Sequence, residues 1–387
     1  MSCGHHFDSR VLCTLEQIEQ TAKAWSELET ACGDPLSYFQ SYDWCRNWVA
    51  RFCKDGGRTP YVVTVWQGET LVALWPRMIV ESLGLKRLET LGVPHTQYCG
   101  LLIHPAMRND PEVAQCLNAA VQNSGCDVLL SRAVLSGSAL DLVTGAGHEP
   151  VANVASMLDL SSFSSAQDYA DQLGKRQKRN RNRRRNHLAR LGELHFEVLW
   201  PDDERFAPLV EQCVAMKRLW LKETGKFSTG FSMSGVEAFL QSLDGDASKP
   251  AGACLSVLRT DSRVVAMELG FIRQGHYYAY LGGFDWSLRH LSPGKVQMEF
   301  TVAWLIEHHV QRYDLLINPA DYKASWTNTE IRTALQVEAL SWRGQFYATA
   351  WLRNFRPMLK RVHARLPATF ERIRAWLQPA ACLLLYV

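Results

Sequence analysis

Gly282-Gly283-Phe284-Asp285, followed closely by Arg289-His290-Leu291-Ser292-Pro293-Gly294-Lys295, is the stretch on which the reading of this chain turns. The aromatic run Tyr277-Tyr278-Ala279-Tyr280 ahead of it reads as a strand, and Val296 to Val310 behind it is a helical pattern without Gly or Pro. A strand, a polar turn with Pro-Gly and a fresh helix start form a geometry that collects an anionic group. The first-turn N–H groups lack partners within the helix, and the helix dipole favours negative charge there. Arg289, His290 and Lys295 add side-chain donors, and Ser292, Gly294, Lys295 and Val296 supply the backbone. The plainer alternative is a Pro-Gly turn that only starts a core helix.

Outward from this turn, two segments resemble each other. Tyr61 to Leu74 reads as strand, tight polar turn, strand, and so does Leu255 to Met267. Ala73 and Ala266 in these hairpins lie 193 residues apart. Cys126 to Leu130 and Tyr313 to Ile317 each follow a helical pattern, and their aspartates, Asp127 and Asp314, lie 187 apart. Two pairs at nearly one offset argue for a duplicated α/β unit. Helical patterns over 14–31 and 41–52 open the first unit, and those over 202–224 and 234–243 open the second. Helices over 112–124 and 296–310 occupy matching places. Antiparallel strands followed by a crossover helix and a further strand imply a mixed sheet flanked by helices. The expected domains are 1–160, 161–345 with a basic N-terminal helix, and a basic amphipathic tail over 346–387. The Ser-rich stretch 161–165 marks the boundary, and Ser165 three residues before Asp168 supplies a helix cap.

The 387 residues suffice for two or three cores; 47% apolar and 21% charged residues describe an ordinary globular chain, and a net charge of +3 excludes a globally basic nucleic-acid binder. Eleven cysteines show no C-x-x-C pair, which points to buried free thiols in a reducing compartment. Cys3, His5 and His6 read as a frayed terminus, so no metal is expected. No apolar run approaches bilayer length, and residues 1–20 lack a basic start and a continuous apolar core, so a cytoplasmic chain is expected. Arginines and lysines dominate residues 351–376, where Trp351, Phe355, Leu359, Phe370 and Trp376 recur at helical spacing. Such a tail could rest peripherally on an anionic inner-membrane surface, or dock on the fold.

The order of motifs resembles the bacterial FemAB-like/GNAT acetyltransferases associated with cellulose and exopolysaccharide synthesis. The matching pieces are the basic helix over 173–191, Met216-Lys217, Gly282-Gly283-Phe284-Asp285, Ser292-Pro293-Gly294, and Tyr313-Asp314-Leu315 leading to Tyr322-Lys323 and Trp326. Phe39 to Trp44 and Leu91-Gly92 fit in the first half. Residues 35–330 are covered, and the Arg-x-x-Gly loop of the family is matched incompletely, with an extra residue after Arg289 and the last Gly replaced. The resemblance implies two tandem GNAT-like folds, acetyl-CoA or another acyl-CoA as co-substrate, and transfer to an amine of an amino-sugar or envelope precursor. It implies that strand 277–285 lines the acyl group and that residues 292–297 hold the diphosphate. Glu268, Asp285 and Tyr322 are the acid–base candidates, with Tyr322 protonating the departing thiolate. Lys323, Trp326, Tyr278 and Lys217 are the substrate-binding candidates. The first half, whose turn 91–95 lacks basic residues, is expected to be a degenerate partner.

Eight of the eleven residues 175–185 are basic, the densest charge in the chain. Like charges one turn apart destabilise a helix, so an acidic neighbour or an anionic partner is expected there. No aromatic residue interleaves the run, so single-stranded nucleic acid is not expected. Two rivals stay open: a non-catalytic GNAT-fold regulator that binds a nucleotide second messenger or an anionic polymer, and a Fem-type transferase that uses aminoacyl-tRNA.

Overall fold

The computed structural model describes residues 7–350, apart from 55–56, 83, 145–148, 262 and 318–322. It divides into two units, one of residues 7–32, 39–151 and 334–350, the other of 33–38 and 152–333. The segment 33–38 thus belongs with the second unit although it precedes most of the first. The expectations for Asp321, Tyr322, the 351–387 tail and the Cys3-His5-His6 group lie outside the described residues.

In the first unit, β1 (Phe7–Leu12) precedes α1 (Leu15–Gln20) and α2 (Ala22–Cys32). Thr14 caps α1 through a reciprocal bond with Gln17, and the single helix expected over 14–31 is divided at Thr21. After α3 (Tyr42–Phe52), β2 (Arg58–Gln67) and β3 (Thr70–Ser82) form the predicted hairpin. Next come β4 (Leu85–Thr90), β5 (Leu102–Ile103), α4 (Pro111–Gln122), β6 (Val128–Leu135) and α5 (Ala139–Thr144). Sheet order is β1-β2-β3-β4-β6, with β4 and β6 parallel. Trp25, Trp44, Trp48 and Trp75 are fully buried. At roughly 25 cal/mol per Å² of apolar surface, rings of this size dominate a core.

The second unit takes β7 (Glu149–Asp159) from Ala152 onward, then α6 (Ala166–Gln172), α7 (Lys175–Leu188), β8 (His195–Leu199) and α8 (Phe206–Glu223). The short α9 (Thr229–Ser232) and α10 (Val236–Gln241) lead through β9 (Gly245–Asp246) to the hairpin β10 (Ala251–Thr260) and β11 (Arg263–Arg273). β12 (His276–Phe284), α11 (Pro293–Glu307) and β13 (Arg312–Asp314) follow, and β14 (Thr329–Ala339) and α12 (Trp342–Phe346) return the chain to the first unit. Sheet order is β7-β13-β12-β11-β10-β8, with β12 and β13 parallel.

The two halves match in detail. Each has a hairpin, a third antiparallel strand, a helix, and a strand parallel to the third. Each hairpin has a register shift that leaves one extra residue on its second strand, Val72 on β3 opposite the Val65–Trp66 step and Val265 on β11 opposite the Leu258–Arg259 step. These irregularities are 193 residues apart, the offset of the sequence repeat. A bulge is a specific device, so its recurrence at one repeat position supports duplication more strongly than two similar hairpins do.

Candidate active site

β12 pairs with β13 only through His276–Arg312, Tyr277–Tyr313 and Tyr278–Asp314. From Ala279 to Phe284 that edge of β12 has no strand partner among the described residues. A second irregularity sharpens the opening. Leu269 faces Leu281, but Gly270 faces Ala279, so Tyr280 is an extra residue on β12. The strand ends in Gly282 and Gly283. Gly282 is exposed, and a Cβ there would meet open space. Gly283 is a contact glycine: a Cβ would lie 2.9 Å from the Cys213 carbonyl and 3.1 Å from Met216 Cβ, so its absence lets α8 pack close.

The chain then makes a 3-10 turn over Trp286–Leu291 and starts α11 at Pro293, three residues earlier than the sequence suggested. Ser292 adopts the left-handed conformation (φ 58°) and makes no side-chain cap. Its carbonyl accepts from Lys295 N (3.0 Å) and Val296 N (3.4 Å). This corrects Val296 as an anion donor: it is fully buried and its N–H is taken by the helix. Pro293 has no N–H, so among the described residues the Gly294 amide is the one left without a partner at this start. Lys295 stands beside it, its ammonium pKa lowered by partial burial and by Arg184 of α7.

Two further expectations at the turn are corrected. Asp285 accepts from Ser287 N (2.9 Å) and pairs with Arg263, so its carboxylate caps the 3-10 turn and is not free for proton transfer. Arg289 folds over the Trp286 ring (5.3 Å) and donates to the Trp286 carbonyl, so it braces the turn.

Glu268 lies directly across from Gly282. Its carboxylate accepts from Tyr277 Oη (3.2 Å) and from Tyr313 Oη (2.9 and 3.1 Å). Burial penalises the charged form and lifts the pKa to about 7, against the two tyrosine bonds that lower it. The two rings stack, centroids 5.6 Å apart, and the Tyr277 ring occupies the space over Gly270, where a Cβ would come within 2.1 Å of Cζ. Sequence reading found Glu268 but missed both tyrosines and Gly270.

The opposite face of β12 carries the cations. Lys323 donates to the carbonyls of Leu315 (2.6 Å) and Leu316 (2.9 Å), and burial lowers its pKa to about 8; Asp314 raises it, and Lys217 lowers it further. Lys217 lies over the Trp220 ring (4.3 Å) with its pKa lowered by burial. Asp314 is fully buried against His276 Nε2 (3.1 Å). Tyr278 is corrected as a substrate contact: it is buried, and its hydroxyl donates to the Pro35 carbonyl (2.5 Å). Trp326 is buried beneath the Arg181 guanidinium, 4.1 Å from the ring centroid. Thiol catalysis has no support here, since burial pushes Cys213 up to about 12 and Cys254 higher still.

The matching place in the first unit is filled. Asp110 caps α4, its side chain accepting from Glu112 N, which sets two carboxylates where an anion would sit. Arg77 is fully buried and donates to the carbonyls of Leu88 (2.5 Å) on β4 and Leu130 (2.8 Å) on β6, so its guanidinium closes the gap between those strands. A further parallel bridge joins Cys99 and Val134. At the 193-residue offset, Trp75 stands where the second unit has Glu268.

An open-edged strand that runs into an uncapped helix start, within this strand order, gives the second unit the topology of a GNAT-type fold. Residues 175–324 match the family described as the acetyltransferase (GNAT) domain. In structure, the chain is similar to the C-terminal DUF2156 domain of a protein described as a lysylphosphatidylglycerol synthetase from Agrobacterium fabrum, at 13% identity, TM-score 0.53, with 86% of this chain and 95% of that one covered. It is likewise similar to FemX, at 9% identity, TM-score 0.53, covering 86% and 96%. A tandem GNAT protein of the clavulanic acid pathway aligns at 11% identity, TM-score 0.45, covering 87% and 99%. No curated protein matches the chain in sequence. Among the described residues no helix is long and apolar enough to cross a membrane.

Proposed function

We propose that the second unit transfers an acyl group, acetyl in the simplest case, from coenzyme A to an amine, and that the first unit serves as a structural partner. The observation that carries this is the contrast at equivalent helix starts: α11 leaves the Gly294 amide free at the end of an open strand, whereas α4 is capped by Asp110. An acyl-CoA fits the open start. The Gly294 amide and Lys295 face its diphosphate, and the thioester lies along β12 from Ala279 to Gly282. Glu268, poised near neutrality, takes the proton of the incoming ammonium through the hydroxyl of Tyr277 or Tyr313. The freed amine forms a C–N bond at the thioester carbonyl, the C–S bond breaks, the thiolate takes a proton that we assign to Tyr322, and the second proton lost by the nitrogen restores that phenol. Backbone donors of the bulged strand are the candidates for the developing oxyanion.

The acceptor class, an amino sugar or other amine on an envelope or exopolysaccharide precursor, rests on the order of motifs in the sequence. Lys217 and Lys323 favour an acceptor that carries negative charge beside its amine. A cytoplasmic location, with the 351–387 tail resting on an anionic membrane, accompanies this reading. Calorimetry with acetyl-CoA tests it through Gly282→Val. Open space surrounds Gly282, so the variant should fold, yet its side chain fills the acyl path and should weaken acetyl-CoA at least tenfold. Equal affinity for wild type and variant, or no binding to wild type at millimolar cofactor, sinks the proposal.

A further inference from the structure

α7 bears a cleft that neither the amine transfer nor the diphosphate seat uses. Arg176, Asn180 and Arg184 stand one above another at four-residue spacing, with Gln177 and Arg181 beside them. Together with Ser325 and Trp326 they line a cleft of about 270 Å³. Every α7 side chain on this face is a hydrogen-bond donor, and none is a carboxylate. Among the described residues no carboxylate comes within ion-pair distance of Arg176, Arg181 or Arg184. Glu299 of α11 feels Arg181, Arg185 and Arg184 without pairing with any of them. The run's ion pair, Lys178 with Asp171, lies at its exposed N-terminal end.

Arg181 sets the floor of the cleft. It is 6% exposed, donates to Tyr169 Oη (2.9 Å) and lies between the Tyr169 ring (5.2 Å) and the Trp326 ring (4.1 Å). The two rings hold the guanidinium in place, and Arg181 is itself part of the cleft lining. A planar fork held this way is suited to oxygen pairs on phosphorus. Arg184 also lies close enough to Lys295, at the start of α11, to lower its pKa. Several cations gathered with no ion-paired carboxylate among the described residues repel one another, and a bound dianion would relieve that repulsion.

We infer that this cleft is a second anion subsite, which takes a phosphate monoester. The inference goes beyond the diphosphate reading at Gly294 and does not need it. The monoester has two sources: the 3′-phosphate on the ribose of coenzyme A, or a phosphate carried by the acceptor. Both arginines to be changed are outward on α7 and outside the packed core, so Arg176→Ala/Arg184→Ala should fold as the wild type does.

Calorimetry at low salt compares wild type and this double variant with acetyl-CoA, 3′-dephospho-acetyl-CoA and inorganic phosphate. If the 3′-phosphate is the ligand, wild type prefers acetyl-CoA over the dephospho form by about tenfold, the effect of roughly one charge-assisted hydrogen bond, and the variant binds both alike. If the acceptor supplies the phosphate, both cofactors bind equally to both proteins, while inorganic phosphate binds wild type and loses about tenfold in the variant. If neither cofactor binds but phosphate still distinguishes the two proteins, the cleft stands and the coenzyme A reading falls. The inference is overturned if neither the 3′-phosphate nor inorganic phosphate at 10 mM, roughly the weakest binding that would matter, distinguishes the variant from wild type.

Discussion

Replacing Glu268 by Gln should remove a pH dependence built into the second unit. Burial lifts the Glu268 pKa from its ordinary 4.5 to about 7. Between those values the folded protein keeps a proton that the unfolded chain releases. The group's contribution to stability is therefore fully present below pH 4.5, falls as pH rises, and is lost above about 7. At about 1.4 kcal/mol per unit, the difference amounts to about 3 kcal/mol. A glutamine in the same place accepts from Tyr277 and Tyr313 but cannot ionise. The assay is urea unfolding of wild type and Glu268→Gln at pH 5 and pH 8. The variant should gain on wild type by about 3 kcal/mol from the low to the high pH, since other titrating groups cancel in the comparison. Tyr313→Phe removes a bond that stabilises the carboxylate and should deepen the wild-type loss by about 1–2 kcal/mol. A wild-type-to-Gln difference constant within about 1 kcal/mol across this range would refute the claim that Glu268 is held near neutrality.

Two other perturbations separate structural from chemical roles. Gly270→Ala places a methyl group against the Tyr277 ring and should cost about 2–3 kcal/mol in denaturant unfolding, whereas a loss under about 1 kcal/mol would mean the ring has room to move. Asp110→Ala removes the cap of α4 and should cost about 1 kcal/mol while leaving acetyl-CoA affinity unchanged; a tenfold change in that affinity would give the first unit a part in binding.

The tandem mixed α/β fold was legible because hairpins announce themselves locally. Alternating runs joined by Gln67-Gly68-Glu69 and Thr260-Asp261-Ser262 need no tertiary information to be recognised as turns. The helix start at 293 was legible to within three residues, since Pro favours the first helical position. What the sequence concealed depended on register. Tyr277 and Tyr313 lie 36 residues apart, and their hydroxyls meet on Glu268 only because β12 and β13 pair in parallel at that one step. Asp285 and Arg289 misled for the opposite reason: their residue types suit catalysis and anion binding, but the nearest backbone and the Trp286 ring claimed them first. Arg77 was not singled out at all, because a charge in the middle of an apolar strand carries no sign of what it will fill.

The placement of residues 33–38 bears on how the protein can be divided. Tyr38 stacks on Phe271 at 4.5 Å, the Pro35 carbonyl accepts from Tyr278, and Ser37 accepts from Arg273 (3.0 Å). A shortened polypeptide begun at residue 152 would keep the whole family match yet lack the six residues that cover this side of its sheet. It would present bare aromatic rings to solvent and tend to clump. Supplying the hexapeptide ahead of residue 152 on a flexible tether, or keeping the full length, is the sounder route to an isolated acyl-transfer half.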